Sequence, residues 1–436
     1  MSSERKLGPE RMLSAEDISV PKGYQVDVFA KDLSSPINLI FTQNGDMLLA
    51  DAGVSDGNGK VLKRIGNDFV TVAEGFTPPV TGINWFENHI FVSHRGTITI
   101  VKQNGKKQDI LTGLPSHGDH HNNQVIFGPD GKMYFGQGTA TNSGVVGEDN
   151  NWIQKYPFFH DYPGESIRLL GHNFVTKDVR LPAEDSARAH TGAYAPFGVP
   201  SNKNEKVKGI IPASGSVLRS NPDGSHLERV AWGLRNPFRM KFDRRGRLYA
   251  TNHGMDERGS RPVANSPDEF QRICFGAWYG FPDFTGGAPV TLPQFRPEGK
   301  AQPSFLLAKH PSVPLAPLTV FPPHSAPMGF DFNDHPDFDA TGNVFVAEYG
   351  PGRPAKKHTR GLGHRISKVD LKTGRIEVFA VNRSGYRATY TDGGGFERPI
   401  DVVFGPDGMY VVDMGINKAG EGLVPHTGVI WRIRRI

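Results

Sequence analysis

HNNQVIFGPDGKMYFGQGT, residues 121–139, consists of a short apolar segment, a Gly-Pro-Asp-Gly turn and a second apolar segment. The pattern recurs five more times along the 436-residue chain. The other copies are SPINLIFTQNGDMLLADAG (35–53), PPVTGINWFENHIFVSHRG (78–96), NPFRMKFDRRGRLYATNHG (236–254), APMGFDFNDHPDFDATGNVFVAEYG (326–350) and RPIDVVFGPDGMYVVDMG (398–415). Each copy is typical of a β-hairpin, because two alternating apolar runs flank a turn-forming sequence. Strand pairs repeated at a period of about 43 residues are typical of a β-propeller.

Outer strands follow the hairpins, as in GKVLKRI from Gly59 and GTITIVKQ from Gly96. After the last copy only one more strand, TGVIWRIRRI, precedes the end of the sequence, whereas GYQVDVFAKDL (23–33) near the start has no hairpin of its own. We therefore predict an all-β fold, a six-bladed β-propeller of four-stranded antiparallel blades, with the ring closed by the N-terminal strand joining the last blade. Residues 1–20 are predicted to form an N-terminal tail. Residues 21–436 are predicted to form a single propeller with long loop insertions at about 140–212 and 255–324.

The composition limits the classes of function. The net charge of the chain is +5. The basic residues are scattered along the sequence, except in KKHTR (356–360) and RIRR (432–435), so we expect no nucleic-acid partner. No apolar run reaches the roughly 18 residues of a membrane-spanning helix. Cys274 is the single cysteine, which rules out an intramolecular disulfide. The first twenty residues lack the apolar core of a secretory signal, so the compartment stays open.

Polar residues flank the predicted hairpins. The start of the first strand and the end of the second lie at the same end of an antiparallel hairpin, so these residues are expected to share one edge of the propeller. Before the first strand they are Asp119, His120, His121, Arg235, Asn236, His324 and Arg398, and after the second strand they are Asp51, His94, Gln137, Asn252, His253, Glu348 and Asp413. Such groups can act in catalysis or binding, or they can be hydrogen-bond partners for the backbone at the strand ends. The sequence leaves both interpretations open.

The segment HGDHHNN (117–123) is the strongest candidate for chemistry on this edge. Three histidines and an aspartate on one approach loop can supply a general base with a neighbouring carboxylate. They can equally supply metal ligands, since imidazole and carboxylate groups suit several divalent ions.

At these residues the chain resembles the glucose/sorbosone dehydrogenase family, whose best-known members are soluble sugar dehydrogenases that use pyrroloquinoline quinone (PQQ) and calcium. The resemblance is most specific in two segments. Asp119-His120 is similar to the family's catalytic histidine and its adjacent aspartate. GLRNPFRMKFDRRGRLYATNHGM (233–255) is similar to the family's Arg-Asn-Pro motif and the glycine whose carbonyl holds calcium.

The resemblance implies roles for individual residues. His120 and Arg235 would be catalytic, with His120 taking a proton from a sugar hydroxyl and Arg235 stabilising charge on the quinone. Arg235, Asn236 and Arg398 would contact PQQ. Asp119 would orient the sugar or His120, and His121 would also lie on the substrate side. Gly254 and Met255 would offer carbonyl oxygens to Ca²⁺.

The chain also departs from those members. They place two arginines before the last hairpin, where this chain has Arg398 and Ile400. They carry a lysine at the end of the fifth hairpin, where this chain has EYGPGRP and lysines only further along, at Lys356 and Lys357.

Three functions follow as alternatives. The first is a PQQ- and calcium-dependent oxidoreductase acting on a sugar or a related aldehyde or alcohol, with an external electron acceptor as partner. The second is a metal-dependent hydrolase or lyase that uses ligands from the same edge, namely His120, His253, His324, Glu348 and Asp413. The third is a non-catalytic carbohydrate- or protein-binding propeller with Trp152, Trp278 and Tyr279 as a stacking platform.

Overall fold

The computed structural model describes residues 11–352, 361–418 and 422–436. Five four-stranded antiparallel sheets and one five-stranded sheet follow the six sequence copies, as predicted for a six-bladed β-propeller. The helical segments in these residues are three single 3₁₀ turns, at Ala15–Asp17, Pro293–Phe295 and Ala388–Tyr390. No helix in the described ranges has the length and hydropathy needed to span a bilayer.

We number the blades one to six along the chain, and in each blade the first two strands form the predicted hairpin. Blade one contains Pro36–Phe41, Met47–Asp51, Gly59–Ile65 and Asp68–Phe76. Blade two contains Val80–Phe86, His89–His94, Thr97–Val101 and Lys107–Leu111. Blade three contains Asn122–Phe127, Met133–Gln137, Ser216–Ser220 and Glu228–Trp232.

The remaining blades follow the same plan. Blade four contains Pro237–Phe242, Leu248–Asn252, Asp268–Ile273 and Thr319–Phe321. Blade five contains Pro327–Phe332, Asn343–Glu348, Arg365–Asp370 and Ile376–Asn382, with Ile18–Ser19 as a fifth strand. Blade six contains Pro399–Gly405, Gly408–Asp413, Gly428–Arg435 and Tyr24–Leu33. Short two-stranded sheets lie outside the blades, at Ile167–Arg168 with Lys206–Val207, Asn173–Lys177 with Arg188–Gly192, Phe284–Thr285 with Ala288–Pro289, and Asn417–Lys418 with Gly422–Leu423.

In blades one, three, four, five and six the hairpin pairs its first residue with its last, as the repeat predicts. Examples are Pro36 with Asp51 and Pro237 with Asn252, each followed by a register shift in the ladder. The predicted N-terminal strand also pairs where expected, with Tyr24 opposite Arg435 in blade six.

Several of the flanking polar residues satisfy the strand ends. Asn252 Oδ1 accepts the backbone N–H groups of Arg235 and Asn236, at 3.1 and 3.0 Å. Asp413 accepts those of Glu397 and Arg398, both at 2.8 Å. A buried N–H group without a partner costs about 1–3 kcal/mol. Asn252 and Asp413 are therefore part of the fold, and the polar residues at these hairpin ends are in part structural.

The chain divides into two compact units. Unit one comprises Met1–Ile90, Val101–Lys106 and Ser325–Ile436, and unit two comprises Phe91–Ile100 and Lys107–His324. In unit one, Trp431 and Phe345 belong to a fully buried core. In unit two, Trp232 and Trp278 are buried with residues of both long insertions. The prediction of one propeller domain over 21–436 stays a prediction.

Residues 11–19, predicted as part of the tail, pack against blades five and six. Arg11 donates to Asp413 Oδ2 at 2.6 Å and to the carbonyl oxygens of Thr427 and Gly395, at 2.8 and 2.7 Å. The two charged side chains are 4% and 0% exposed. Burial by itself would raise the pKa of Asp413, but Arg11 and the backbone N–H groups lower it. The first ten residues of the predicted tail lie outside the described residues.

We predict that Arg11→Ala lowers the free energy of unfolding by about 3 kcal/mol at pH 7, because it leaves a buried carboxylate without its cation. A carboxyl with a lowered folded-state pKa stabilises the fold above its unfolded pKa, so the loss should shrink as the pH falls through about 4. Urea unfolding measures both effects. Lys31→Ala is the matched control, since its pair with Asp32 is 62% and 68% exposed and should contribute less than about 1 kcal/mol. Equal effects of the two variants would contradict the prediction.

Candidate active site

The loop that carries His120 is an extension of the blade-three hairpin in unit two. The backbone N–H of His120 donates to the Thr139 carbonyl at 3.1 Å, and that of Asp119 donates to the Ala140 carbonyl at 3.0 Å. The second strand ends at Gln137, so this backbone pairing continues three residues past it, to Ala140. The backbone of His120 is therefore fixed by the hairpin that the sequence repeat defines.

His120 is held as a neutral base. Its Nδ1 lies 3.0 Å from the Thr139 carbonyl oxygen, which can only accept, so Nδ1 carries the proton. Nε2 then has the lone pair, and no hydrogen bond from a described residue reaches it. Burial, with the nearby positive charges of Arg235 and Arg258, lowers the pKa of His120 well below its ordinary value.

Arg235 is 5% exposed and lies near this imidazole. Its Nε donates to the Asn142 carbonyl at 2.9 Å, and its NH2 donates to Asn142 Oδ1 at 3.1 Å and Asp256 Oδ2 at 2.9 Å. Its NH1 has no hydrogen-bond partner in the described part of the chain. Asn142 comes from the first insertion and Asp256 from the second, so both insertions hold this guanidinium.

A second arginine, Arg258, completes the charge network. It donates to Asp119 Oδ2 at 2.7 Å, to Asp149 Oδ2 at 2.5 Å and to Asp256 Oδ2 at 3.3 Å. Burial alone would lower its pKa, but these carboxylates raise it. Burial alone would raise the pKa of Asp256. The neighbouring Arg235, His324 and Arg258 outweigh burial and lower this pKa below the usual carboxyl range. His324 Nδ1 lies 3.4 Å from Asp256 Oδ1, and this contact raises the His324 pKa.

Both carboxylate oxygens of Asp119 accept hydrogen bonds in this network. Besides Arg258, it accepts from Asn150 Nδ2 at 2.9 Å and from Trp152 Nε1 at 3.0 Å. The group that orients His120 is the Thr139 carbonyl, and Asp119 instead ties the approach loop to the first insertion.

Asn236 lies beside His120. Its Oδ1 accepts from Asn123 Nδ2 at 3.0 Å, and its Nδ2 donates to His253 Nδ1 at 3.1 Å. A Cβ atom at Gly138 would lie 2.3 Å from His120 Cβ and 2.8 Å from Asn236 Oδ1. Only glycine fits at position 138, because any side chain there would displace both groups.

Gly254 and Met255 are held by their N–H groups. Gly254 donates to Asp268 Oδ1 at 2.8 Å, and Met255 donates to Ser266 Oγ at 2.7 Å. Their carbonyl oxygens accept no hydrogen bond from the described residues, which leaves two hard oxygen ligands free for a cation. No group of three or more His, Cys, Asp or Glu side chains in the described ranges is arranged to hold a metal ion.

Two predicted site residues face other surroundings. His121 Nδ1 lies 2.9 Å from the Ser116 carbonyl, and burial together with Arg95 lowers its pKa to about 4. Arg398, in unit one, donates through NH1 to the Tyr349, Gly350 and Pro351 carbonyls, at 3.2, 3.3 and 2.7 Å. Ile400, two residues on, is 3% exposed. Lys356 and Lys357 lie outside the described residues.

The stacking platform expected for a non-catalytic propeller is a wrong prediction. Trp152, Trp278 and Tyr279 are 8%, 1% and 4% exposed. Their rings pack into the cores beneath the insertions, because these long segments need their own apolar contacts to stay folded.

Sequence reasoning missed four residues that shape the site. Arg258 and Asp256 follow directly after the motif that ended at Met255, in DERG. Thr139 and Asn142 stand in GTATN, directly after the third hairpin. The only signal for them was position next to a motif, since their partners are distant in sequence.

The chain is similar to a known quinoprotein over part of its length. No protein-family model matches the chain. Quinoprotein glucose dehydrogenase B of Acinetobacter calcoaceticus is 26% identical over 182 residues, which are 42% of this chain and 30% of that protein. The match thus spans under a third of the relative's length, and it confirms the resemblance drawn from the sequence.

Solved structures match over nearly the whole chain. The PQQ domain of pyranose dehydrogenase from Coprinopsis cinerea, in its holo form, has a TM-score of 0.59 at 13% identity, covering 96% of this chain and 97% of that one. The PQQ-bound aldose sugar dehydrogenase from Streptomyces coelicolor has a TM-score of 0.54 at 17% identity, covering 95% and 100%. The calcium structure of a family AA12 carbohydrate-active enzyme from Trichoderma reesei has a TM-score of 0.59 at 13% identity, covering 97% of this chain and 98% of that one. At these identities the likeness shows the fold alone.

We predict that His120 is neutral, with its proton on Nδ1, from about pH 8 down to pH 6. Nitrogen-15 NMR of the imidazole rings reports both properties, and the spectrum of His120→Gln assigns the signal. Arg235→Gln should raise the His120 pKa, because it removes a nearby positive charge. A His120 signal that titrates near pH 6.5, or a proton on Nε2, would contradict the assignment.

Proposed function

We propose that this chain is a PQQ- and calcium-dependent oxidoreductase that oxidises a sugar, or a related aldehyde or alcohol, and passes the electrons to an external acceptor. The observation that carries the proposal is the pairing of a neutral imidazole, with a free Nε2, and a buried guanidinium with a free NH1. The similarity to a quinoprotein glucose dehydrogenase supports the choice of reaction.

His120 is the proposed general base. Its Nε2 lone pair takes the proton from the sugar hydroxyl, while Nδ1–H stays on the Thr139 carbonyl and keeps the ring in place. Since its pKa is lowered, His120 is ready to accept a proton at neutral pH without first losing one. The nearby guanidinium groups make the protonated form costly, which favours release of the proton after the step.

Arg235 is the proposed electrostatic group. Asn142 and Asp256 hold its Nε and NH2 in place, so the whole guanidinium group, including NH1, has a fixed orientation. A preorganised donor in a buried site stabilises negative charge on an oxygen more strongly than water does. Asp119, tied to Arg258, positions the loop that carries His120.

The residues present fit the proposed cofactors. PQQ, when bound, supplies the two-electron acceptor for the hydride that leaves the sugar carbon. Arg235 and Asn236, both in unit two, would hold it. The free carbonyl oxygens of Gly254 and Met255 suit Ca²⁺, which binds oxygen ligands and accepts backbone carbonyls as well as carboxylates.

We predict that the protein incubated with PQQ and Ca²⁺ reduces a redox dye when an aldose is added. His120→Gln should lower kcat by about 10²–10⁴-fold, the usual contribution of a general base, and still bind PQQ. Arg235→Ala should lose the heat of PQQ binding in calorimetry.

His172→Gln is the matched control, since His172 is exposed in the first insertion, and it should keep full activity. The absence of both PQQ binding and dye reduction over a broad panel of sugars would overturn the proposal.

A further inference from the structure

Residues 139–142, which we call the strap, contact His120, Asp119 and Arg235. The Thr139 carbonyl holds His120 Nδ1 at 3.0 Å, and the Ala140 carbonyl accepts the Asp119 N–H at 3.0 Å. Asn142 accepts from Arg235 through its carbonyl and its Oδ1, at 2.9 and 3.1 Å. A shift of the strap would therefore move the base, its neighbour and the guanidinium together.

Asp161, from the first insertion, anchors the strap. Its side chain accepts the Ala140 N–H on Oδ1 at 2.6 Å and the Thr141 hydroxyl on Oδ2 at 2.5 Å. The Thr141 hydroxyl oxygen in turn accepts the Gly144 N–H at 2.8 Å. Asp161 makes no hydrogen bond to His120 or Arg235 among the described residues, so any effect on them passes through the strap.

The environment of Asp161 is unusual for a structural carboxylate. It is 1% exposed, and no lysine or arginine of the described chain forms an ion pair with it. A buried, unpaired carboxylate costs free energy compared with a neutral residue of the same shape. Stability alone therefore does not account for an aspartate at this position.

We infer that Asp161 is a positioning residue whose charged carboxylate holds the strap so that His120 and Arg235 are aimed at the substrate. The kinetic side of this inference rests on the function proposed above. Charge-assisted hydrogen bonds are shorter and about twice as strong as neutral ones, so loss of the charge should loosen the strap without removing its contacts.

The positioning should depend on pH. Burial raises the pKa of Asp161 to about 6, and the nearby Asp119 also raises it. The other titratable groups facing Asp161 are Tyr162 and Tyr194. Protonation below about pH 6 gives a neutral acceptor to the Ala140 N–H. The pKa of His120 lies well below its ordinary value, so an acid limb of kcat near pH 6 that disappears in Asp161→Asn is assigned to Asp161.

Protonation of Asp161 is expected to lower kcat but to raise the stability of the fold. The folded-state pKa lies above the value of about 3.9 for an unfolded aspartate, so the folded protein binds more protons between about pH 4 and pH 6. Ionised Asp161 therefore lowers stability at neutral pH, and its protonation raises stability as the pH falls through about 6. A purely structural carboxylate with a lowered pKa would behave in the reverse way.

Asp161→Asn tests the inference, because it keeps the shape and removes the charge. We expect kcat to fall about tenfold, KM to change less than about twofold and the acid limb near pH 6 to disappear. Resistance to urea at pH 7.5 should be equal or higher. Asp185→Asn is the matched control in the same insertion, since that side chain is 95% exposed, and it should leave kcat unchanged.

A second readout does not depend on turnover. The nitrogen-15 signal of His120 should shift in Asp161→Asn and not in Asp185→Asn, because only the first variant loosens the Thr139 contact. If the wild-type protein oxidises no sugar, this spectrum alone decides the inference. An Asp161→Asn protein with wild-type kcat, pH profile and His120 spectrum would overturn it.

Thr141→Ala covers the case in which Asp161→Asn does not fold. It removes one of the two strap contacts of Asp161 and leaves the carboxylate in place. A smaller fall in kcat and a smaller shift of the His120 signal are expected. Wild-type values of both would overturn the inference.

Discussion

The candidate site depends on keeping a buried guanidinium charged. Arg235 is 5% exposed, and a charge so far from water is stable only with close partners. The blades do not supply them, since the neighbouring Asn252 is occupied with backbone N–H groups. Asn142 and Asp256 come instead from the two insertions. The insertions are therefore needed to build the site, whatever else they cover.

The same network explains why His120 is a free base. Arg235 and Arg258 both lie near the imidazole, and Arg258 is itself balanced by three carboxylates. The acidic groups hold the arginines in place without contacting His120 directly. The imidazole thus experiences burial and positive charge, which both favour its neutral form. The ion pairs that hold the buried arginines in place also keep positive charge next to His120. The positions of the insertions therefore affect the protonation of His120.

The polar edge of the blades serves two purposes. At the strand ends, residues such as Asp413 and Asn252 satisfy buried N–H groups of the preceding segment. The side chains of His120 and Arg235 do not cap a strand end in this way, which leaves them available for the proposed chemistry. A hairpin repeated six times needs a polar cap each time, so most polar residues on this edge belong to the fold. The residues proposed to be functional, His120 and Arg235, each keep a side-chain nitrogen without a hydrogen-bond partner in the described ranges.

Local patterns in the sequence determined the six hairpins, their register and the pairing of Tyr24–Leu33 with Gly428–Arg435, because turn chemistry and strand alternation involve neighbouring residues. They also indicated His120 and Arg235, whose motifs are short and contiguous. The partners of these residues were decided only by the tertiary structure. Arg258 meets Asp119 across 139 positions, and no periodic pattern in the chain records such a contact. Charge balance in a buried site depends on which segments meet in space, and for the insertions that is set by packing between segments without regular secondary structure.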